Sequence, residues 1–138
     1  MTDPITPGAR APQVWPTLQA ADAPALIDFY VRTFGFVATA VHADGDLVAH
    51  AQLDWPEGGG LMLGSVKPDA AWSRPPGTFG AYVVTADPAA LWARVRDADG
   101  VSVVRALTEV DYGGSEFAVA DPEGNYFSFG SYPGEPPR

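Results

Sequence analysis

The chain writes one stretch nearly twice. Residues 55–65 read WPEGGGLMLGS and residues 121–131 read DPEGNYFSFGS. Pro56 and Pro122, Glu57 and Glu123, Gly58 and Gly124, Gly64 and Gly130, and Ser65 and Ser131 each stand 66 residues apart. Upstream, Asp22 and Asp87 are separated by 65, as are Gly35 and Gly100. One Pro-Glu-Gly turn recurs by chance. Helix caps, helix stops and turns that hold one offset within a residue mark a tandem duplication. The period is too long for a solenoid unit. It is also too short for two independent domains, because each half has a single helix to cover its sheet. A length of 138 residues suits one domain.

Each half reads as βαβββ. In the first, residues 14–19 form a strand candidate. Asp22 is a helix N-cap, with Pro24 in the first turn where its missing N–H does no harm. Leu26, Tyr30 and Phe34 recur every fourth residue, with Ile27 and Val31 beside them, as a buried helical stripe. Gly35 stops the helix. Strands follow at 36–41 and 47–53 around an Asp-Gly turn at Asp44 and Gly45, then a short one at 61–63. Strict alternation places Leu47, Ala49, Ala51 and Leu53 on one face of their strand and Val48, His50 and Gln52 on the other. The second half repeats the order. A strand at 79–85 precedes Asp87 and Pro88, Leu91, Trp92 and Val95 form the helix stripe, and Gly100 ends it. Strands lie at 101–107, 116–120 and 126–129. The fold class is α+β, two tandem βαβββ modules whose curved sheets enclose a concave pocket. The division is a tail at 1–12, one domain at 13–132 (module one 13–66, linker 67–77, module two 78–132) and a tail at 133–138.

Composition narrows the function. The net charge is −9, which disfavours nucleic acid and anionic membrane surfaces as partners and permits a cationic ligand. The chain has no cysteine, so disulfides, thiolate catalysis and Cys-based metal sites are excluded. No apolar run has the length of a membrane span, and the start has no secretory signal pattern, so a cytoplasmic protein is the expectation.

Two βαβββ modules, a helix ending in Phe34-Gly35-Phe36, Tyr112-Gly-Gly-Ser-Glu-Phe117 and the closing Asp121-Pro-Glu-Gly-Asn125 resemble the vicinal oxygen chelate superfamily. That superfamily contains glyoxalase I, extradiol dioxygenases and bleomycin-resistance proteins. The resemblance covers residues 14–131. It implies that metal-dependent members hold a divalent ion with His, Gln or Glu on the first and last strand of each module. Those positions map here to Trp15, Met62 (or Leu63), Ala81 and Ser128, none of them a suitable ligand. A shift of one residue brings in Tyr126, Phe127 or Phe129, which serve no better. The resemblance therefore implies a bleomycin-resistance-like member with no metal and no cofactor. It would be a homodimer binding a cationic or aromatic small molecule. The expected pocket comprises Trp15, Thr17, His50, Gln52, Met62, Ala81, Tyr112 and Ser128; catalytic residues are unassigned.

Other chemistry stays open. His42 and His50 fall on adjacent strands, and with Asp54 they form an alternative metal set. His50 is also the candidate general base, histidine being the side-chain type that titrates near neutrality. An enzyme (lyase, isomerase or dioxygenase) with an atypical metal set or a His50 base is thus the alternative function. A module kept only for dimerisation or regulation is a third. Ser128 lacks the setting of a nucleophile, and Glu116 reads as a solvated strand residue, the alternative being a buried carboxylate with raised pKa. The glycines after Glu57 lead into a strand and lack a Gly-Lys-Ser/Thr ending, so they make no phosphate loop. Phe29, Tyr30, Phe34, Tyr82 and Trp92 are expected in the core. Trp15, Tyr112, Trp55 and Trp72 are expected as a ligand wall.

Overall fold

Two aspartates open the two helices, as their spacing requires. Asp22 Oδ1 accepts the amide of Ala25 at 3.2 Å and Asp87 Oδ1 that of Ala90 at 3.0 Å. In the computed structural model, which describes residues 11–137, α1 spans Ala23–Phe29 and α2 spans Pro88–Val95. The expected N-terminal tail falls almost wholly outside the described residues, as does the last residue of the C-terminal one. No helix among the described residues is long and apolar enough to cross a membrane.

The strands are β1 (Thr17–Ala20), β2 (Val37–Asp44), β3 (Leu47–Asp54) and β4 (Gly60–Ser65), then β5 (Gly80–Val84), β6 (Ser102–Glu109), β7 (Ser115–Ala120) and β8 (Tyr126–Gly130). They form two four-stranded sheets, ordered β1-β4-β3-β2 and β5-β8-β7-β6, and neither closes into a barrel. In each, the first strand pairs parallel to the last and the other pairs are antiparallel.

The helix of module one departs from a plain α-helix at its end. Tyr30–Phe34 is a π-helical turn, in which the Gly35 amide reaches back to the Tyr30 carbonyl at 3.0 Å. Gly35 closes it at φ 93°, a conformation open to glycine. The wider turn points both Tyr30 and Phe34 into the core. There Tyr30 meets Phe127 at 5.2 Å and Phe34 meets Phe129 at 4.9 Å between ring centroids. Val31, expected in the stripe, is partly exposed instead. This aromatic cluster joins the modules, because Phe127 and Phe129 belong to β8.

Strict alternation fails in β3. His42 pairs with His50 but Ala43 pairs with Val48, so Ala49 is an extra, bulged residue. One inserted residue reverses the faces beyond it. Val48 consequently turns into the core and Leu47 is 49% exposed. Ser65 stabilises the irregularity, its Oγ accepting the Val48 amide at 2.9 Å. Its counterpart Ser131 accepts the Ser115 amide at 3.2 Å. The glycine before each serine leaves room. A Cβ at Gly64 would sit 2.9 Å from the Ala49 carbonyl oxygen, and one at Gly130 would sit 2.6 Å from the Tyr82 hydroxyl.

The repeated Pro-Glu-Gly turns each reach into the other module. Glu123 accepts the amides of Ala21 at 2.7 Å and Asp22 at 2.9 Å, at the entrance to α1. Glu57 accepts the Ala86 amide at 2.7 Å, at the entrance to α2. The second turn carries a further buried lock. Tyr30 donates to Asp121 Oδ2 at 2.5 Å, while Asn125 donates to the same carboxylate and its own Oδ1 accepts the Phe79 amide at 3.0 Å. Burial, reinforced by the Asp121 charge, raises the Tyr30 pKa well above the usual tyrosine range. Removing the Glu123 cap strips acceptors from two amides at a helix entrance. Glu123→Ala is expected to cost about 1–2 kcal/mol and Glu123→Gln less, read by equilibrium urea unfolding.

Candidate functional site

The core occupies the helix-facing side of each sheet, so alternate residues of the same strands form an outer, concave face. In module one Thr17 pairs with Met62, Met62 with Gln52, and Gln52 with Ala40, which makes one row across the sheet. His50 and His42 form part of the next row. The segment after β4 lies over this face. Gln19 holds it, donating to the Trp72 carbonyl at 3.4 Å and accepting the Arg74 amide. The result is a cleft of about 250 Å³ walled by Thr17, Gln19, His50, Met62, Lys67 and Trp72. Trp72 is 69% exposed, so one ring face is free for stacking.

The structure thus gathers Thr17, His50 and Met62 in one cleft. Gln52 shares their face, with its amide committed to Asp54 at 3.0 Å. Trp15 precedes β1 and lies against Gly60, where a Cβ would approach the ring to 2.9 Å. Trp55, expected as a ligand wall, is buried, and its indole N–H donates to the Val84 carbonyl at 2.9 Å. Hydrogen bonds from Thr39 and Gln52 hold the Asp54 carboxyl below the usual range, so this residue is already engaged. His42 and His50 do face each other, their rings 6.1 Å apart and nearly parallel. Among the described residues, no three of His, Cys, Asp and Glu come together as a metal set.

Module two differs from the expected register by one residue. Tyr82 pairs with Ser128 as Thr17 pairs with Met62, whereas Ala81 pairs with the fully buried Phe127. The first strands are therefore offset by 65 and the last strands by 66. On a strand one residue exchanges the faces. Ala81 turns to the core side, and Tyr82, expected in the core, stands 43% exposed on the concave face beside Ser128. Trp92 is partly buried and packs on Phe117 at 5.2 Å.

Glu116 overturns its reading as a solvated residue. It is 7% exposed and accepts from the Tyr112 hydroxyl and from Arg105 Nη1 at 3.1 Å. The hydrogen bond to Glu116 raises the pKa of Tyr112, since ionisation would lose that bond and set two anions together. Partial burial and the Glu116 charge raise that of Tyr82. Tyr132 completes the group: its ring meets Tyr112 at 5.2 Å and its carbonyl accepts from the Tyr82 hydroxyl at 2.8 Å. Sequence reasoning missed Arg105 and Tyr132. Nothing in their local patterns marks them, because only the pairing of β6 and β7 and the path after β8 bring them to Glu116.

A family model described as the Glyoxalase/Bleomycin resistance protein/Dioxygenase superfamily matches residues 13–129. The chain belongs to that superfamily. Similar solved structures include TioX from Micromonospora sp. ML1, 24% identical with a TM-score of 0.72, covering 87% of this chain and 98% of that one. TnmS3, an antibiotic binding protein from Streptomyces sp. CB03234, is 25% identical with a TM-score of 0.65, covering 88% and 97%. A glyoxalase/bleomycin resistance protein from the same Streptomyces strain is 26% identical with a TM-score of 0.63, covering 83% and 95%. A search of curated proteins finds no match.

The superfamily's divalent metal does not fit the residues on these strands. The paired positions hold Thr17 with Met62 and Tyr82 with Ser128, a set without imidazole or carboxylate. Glu116 lies on a different strand and is already committed to Arg105. Glu116→Gln is expected to lower the pH at which Tyr112 ionises, seen as the difference between its tyrosinate absorbance titration and that of Glu116→Gln/Tyr112→Phe.

Proposed function

We propose that this chain is a small-molecule binding protein that sequesters a cationic, aromatic compound on its concave face, without a metal. The observation that carries the reading is the donor set. Where the first and last strands pair, this chain puts Thr17 with Met62 and Tyr82 with Ser128 rather than imidazoles or carboxylates, and Thr17 and Met62 line the open cleft. Trp72 and Met62 offer stacking and dispersion surface, and the net charge of −9 favours a cation. The likeness to TnmS3, an antibiotic binding protein, supports the same class.

A homodimer belongs to this reading. Tyr82, Val84, Val103 and Tyr112 stay exposed in the single chain, and a second copy would cover such surface. The functional unit is taken as residues 13–132, with the linker at 67–77 supplying Trp72. The position of His50 in the cleft supports a second reading, an enzyme using it as a general base.

Calorimetric titration with bleomycin and other cationic aromatic compounds tests the proposal. Saturable binding is expected. Trp72→Ala should weaken it roughly fivefold, the equivalent of about 1 kcal/mol of stacking, and Met62→Arg should abolish it while the thermal melt is kept. No saturable heat with any of these compounds would sink sequestration. Parallel titrations with Ni, Zn, Mn and anaerobic Fe(II) are expected to show no stoichiometric binding; tight binding lost in His42→Ala or His50→Ala would move the enzyme reading to the front.

A further inference from the structure

A second cavity, of about 400 Å³, lies between the modules and shares no residue with the concave cleft. Its apolar walls are Phe36, Trp55 and Leu61 from module one and Phe79, Val83 and Phe127 from module two. These side chains belong to the inter-module core or pack against it, and Tyr82 and Val84 line the cavity from the other face of β5. Both its size and its position between two packed units suit an organic ligand.

The Trp55 indole N–H is committed to the Val84 carbonyl, the Tyr82 hydroxyl to the Tyr132 carbonyl, and Ser131 Oγ accepts the Ser115 amide, while the buried Thr85 hydroxyl has no side-chain hydrogen bond among the described residues. Trp55 therefore contributes an aromatic surface rather than a donor. Among the residues lining the cavity, Glu57 alone carries a formal charge. One of its carboxylate oxygens accepts the Ala86 amide at 2.7 Å, and among the described residues the other has no hydrogen-bond partner. An apolar chamber with a single carboxylate, exposed at its wall, favours an amphipathic cation: it attracts an ammonium and repels an anion.

We propose that the inter-module cavity is a binding site for a small aromatic or branched aliphatic amine. The apolar body packs among Phe36, Trp55, Leu61, Val83 and Phe127, and the ammonium pairs with the free oxygen of Glu57. Because both modules contribute walls, and Glu57 also caps the entrance to α2, an occupant ties the two halves together. Binding to the folded state alone raises the melting temperature.

Amide-resolved NMR of the full chain, titrated with tryptamine, 3-ethylindole and indole-3-propionate, separates the possibilities. Tryptamine should shift the amides of Gly58, Leu61, Val83 and Ala86 saturably, independently of any shift at Thr17, His50 and Met62 in the concave cleft, and raise the melting temperature. The neutral analogue should bind about fivefold more weakly, as an exposed ion pair allows, and the anion should not bind. Glu57→Gln keeps an acceptor for Ala86 but removes the charge, so it should erase the preference for tryptamine. Val83→Phe should fill the chamber and abolish binding; Ala81→Leu, which fills it more gently, does the same duty if the first fails to fold. Trp72→Ala and Met62→Arg should leave these shifts intact, which separates this site from the concave cleft. The inference is overturned by shifts confined to Thr17, His50 and Met62, by binding indifferent to Glu57→Gln and to the filling substitutions, or by the absence of saturable shifts with tryptamine.

Discussion

Each half of this molecule has one helix for four strands, and neither can bury its own sheet. The packing of Tyr30 and Phe34 against Phe127 and Phe129 resolves that constraint, and much else depends on it. The reciprocal glutamates hold the arrangement in register: Glu123 caps the helix of module one and Glu57 that of module two. A duplicated Pro-Glu-Gly turn is thus more than a repeated hairpin connection. It is the same clasp used twice, in opposite directions.

With the helices and aromatics on one side, the opposite faces of both sheets stay outside the core. The two faces have diverged. Module one carries a cleft under a strap held by Gln19, with Met62 and Trp72 as its apolar surface. Module two carries a tyrosine-rich face around a buried carboxylate, Glu116, that Arg105 and Tyr112 satisfy. The duplication preserved the caps, the turns and the Gly-Ser strand ends, which serve folding. It did not preserve side chains at the paired concave positions, Thr17 with Met62 and Tyr82 with Ser128.

Much of the architecture was legible because it rests on local chemistry. Asp22, Asp87 and Gly35 announce helix ends through hydrogen bonds and backbone freedom within a few residues. What escaped depends on counting residues along strands. Ala49 is bulged and Val48 turned inward for reasons that involve Ser65, on another strand. The first strands of the two modules are offset by 65 and the last by 66, and this exchanged Ala81 and Tyr82 between core and concave face. Glu116 looked like an ordinary surface carboxylate because its partners lie 4 residues ahead in a turn and 11 residues away on a neighbouring strand.

By itself the sequence determined that the chain is two βαβββ units in tandem and where each helix begins. These follow from residue type and spacing, which act locally. Tertiary structure alone decided which face each strand residue takes, that the linker covers module one, and that a chamber remains between the modules with Glu57 at its wall. Those depend on bulges, register and the docking of one half on the other, where a shift of a single residue reverses inside and outside.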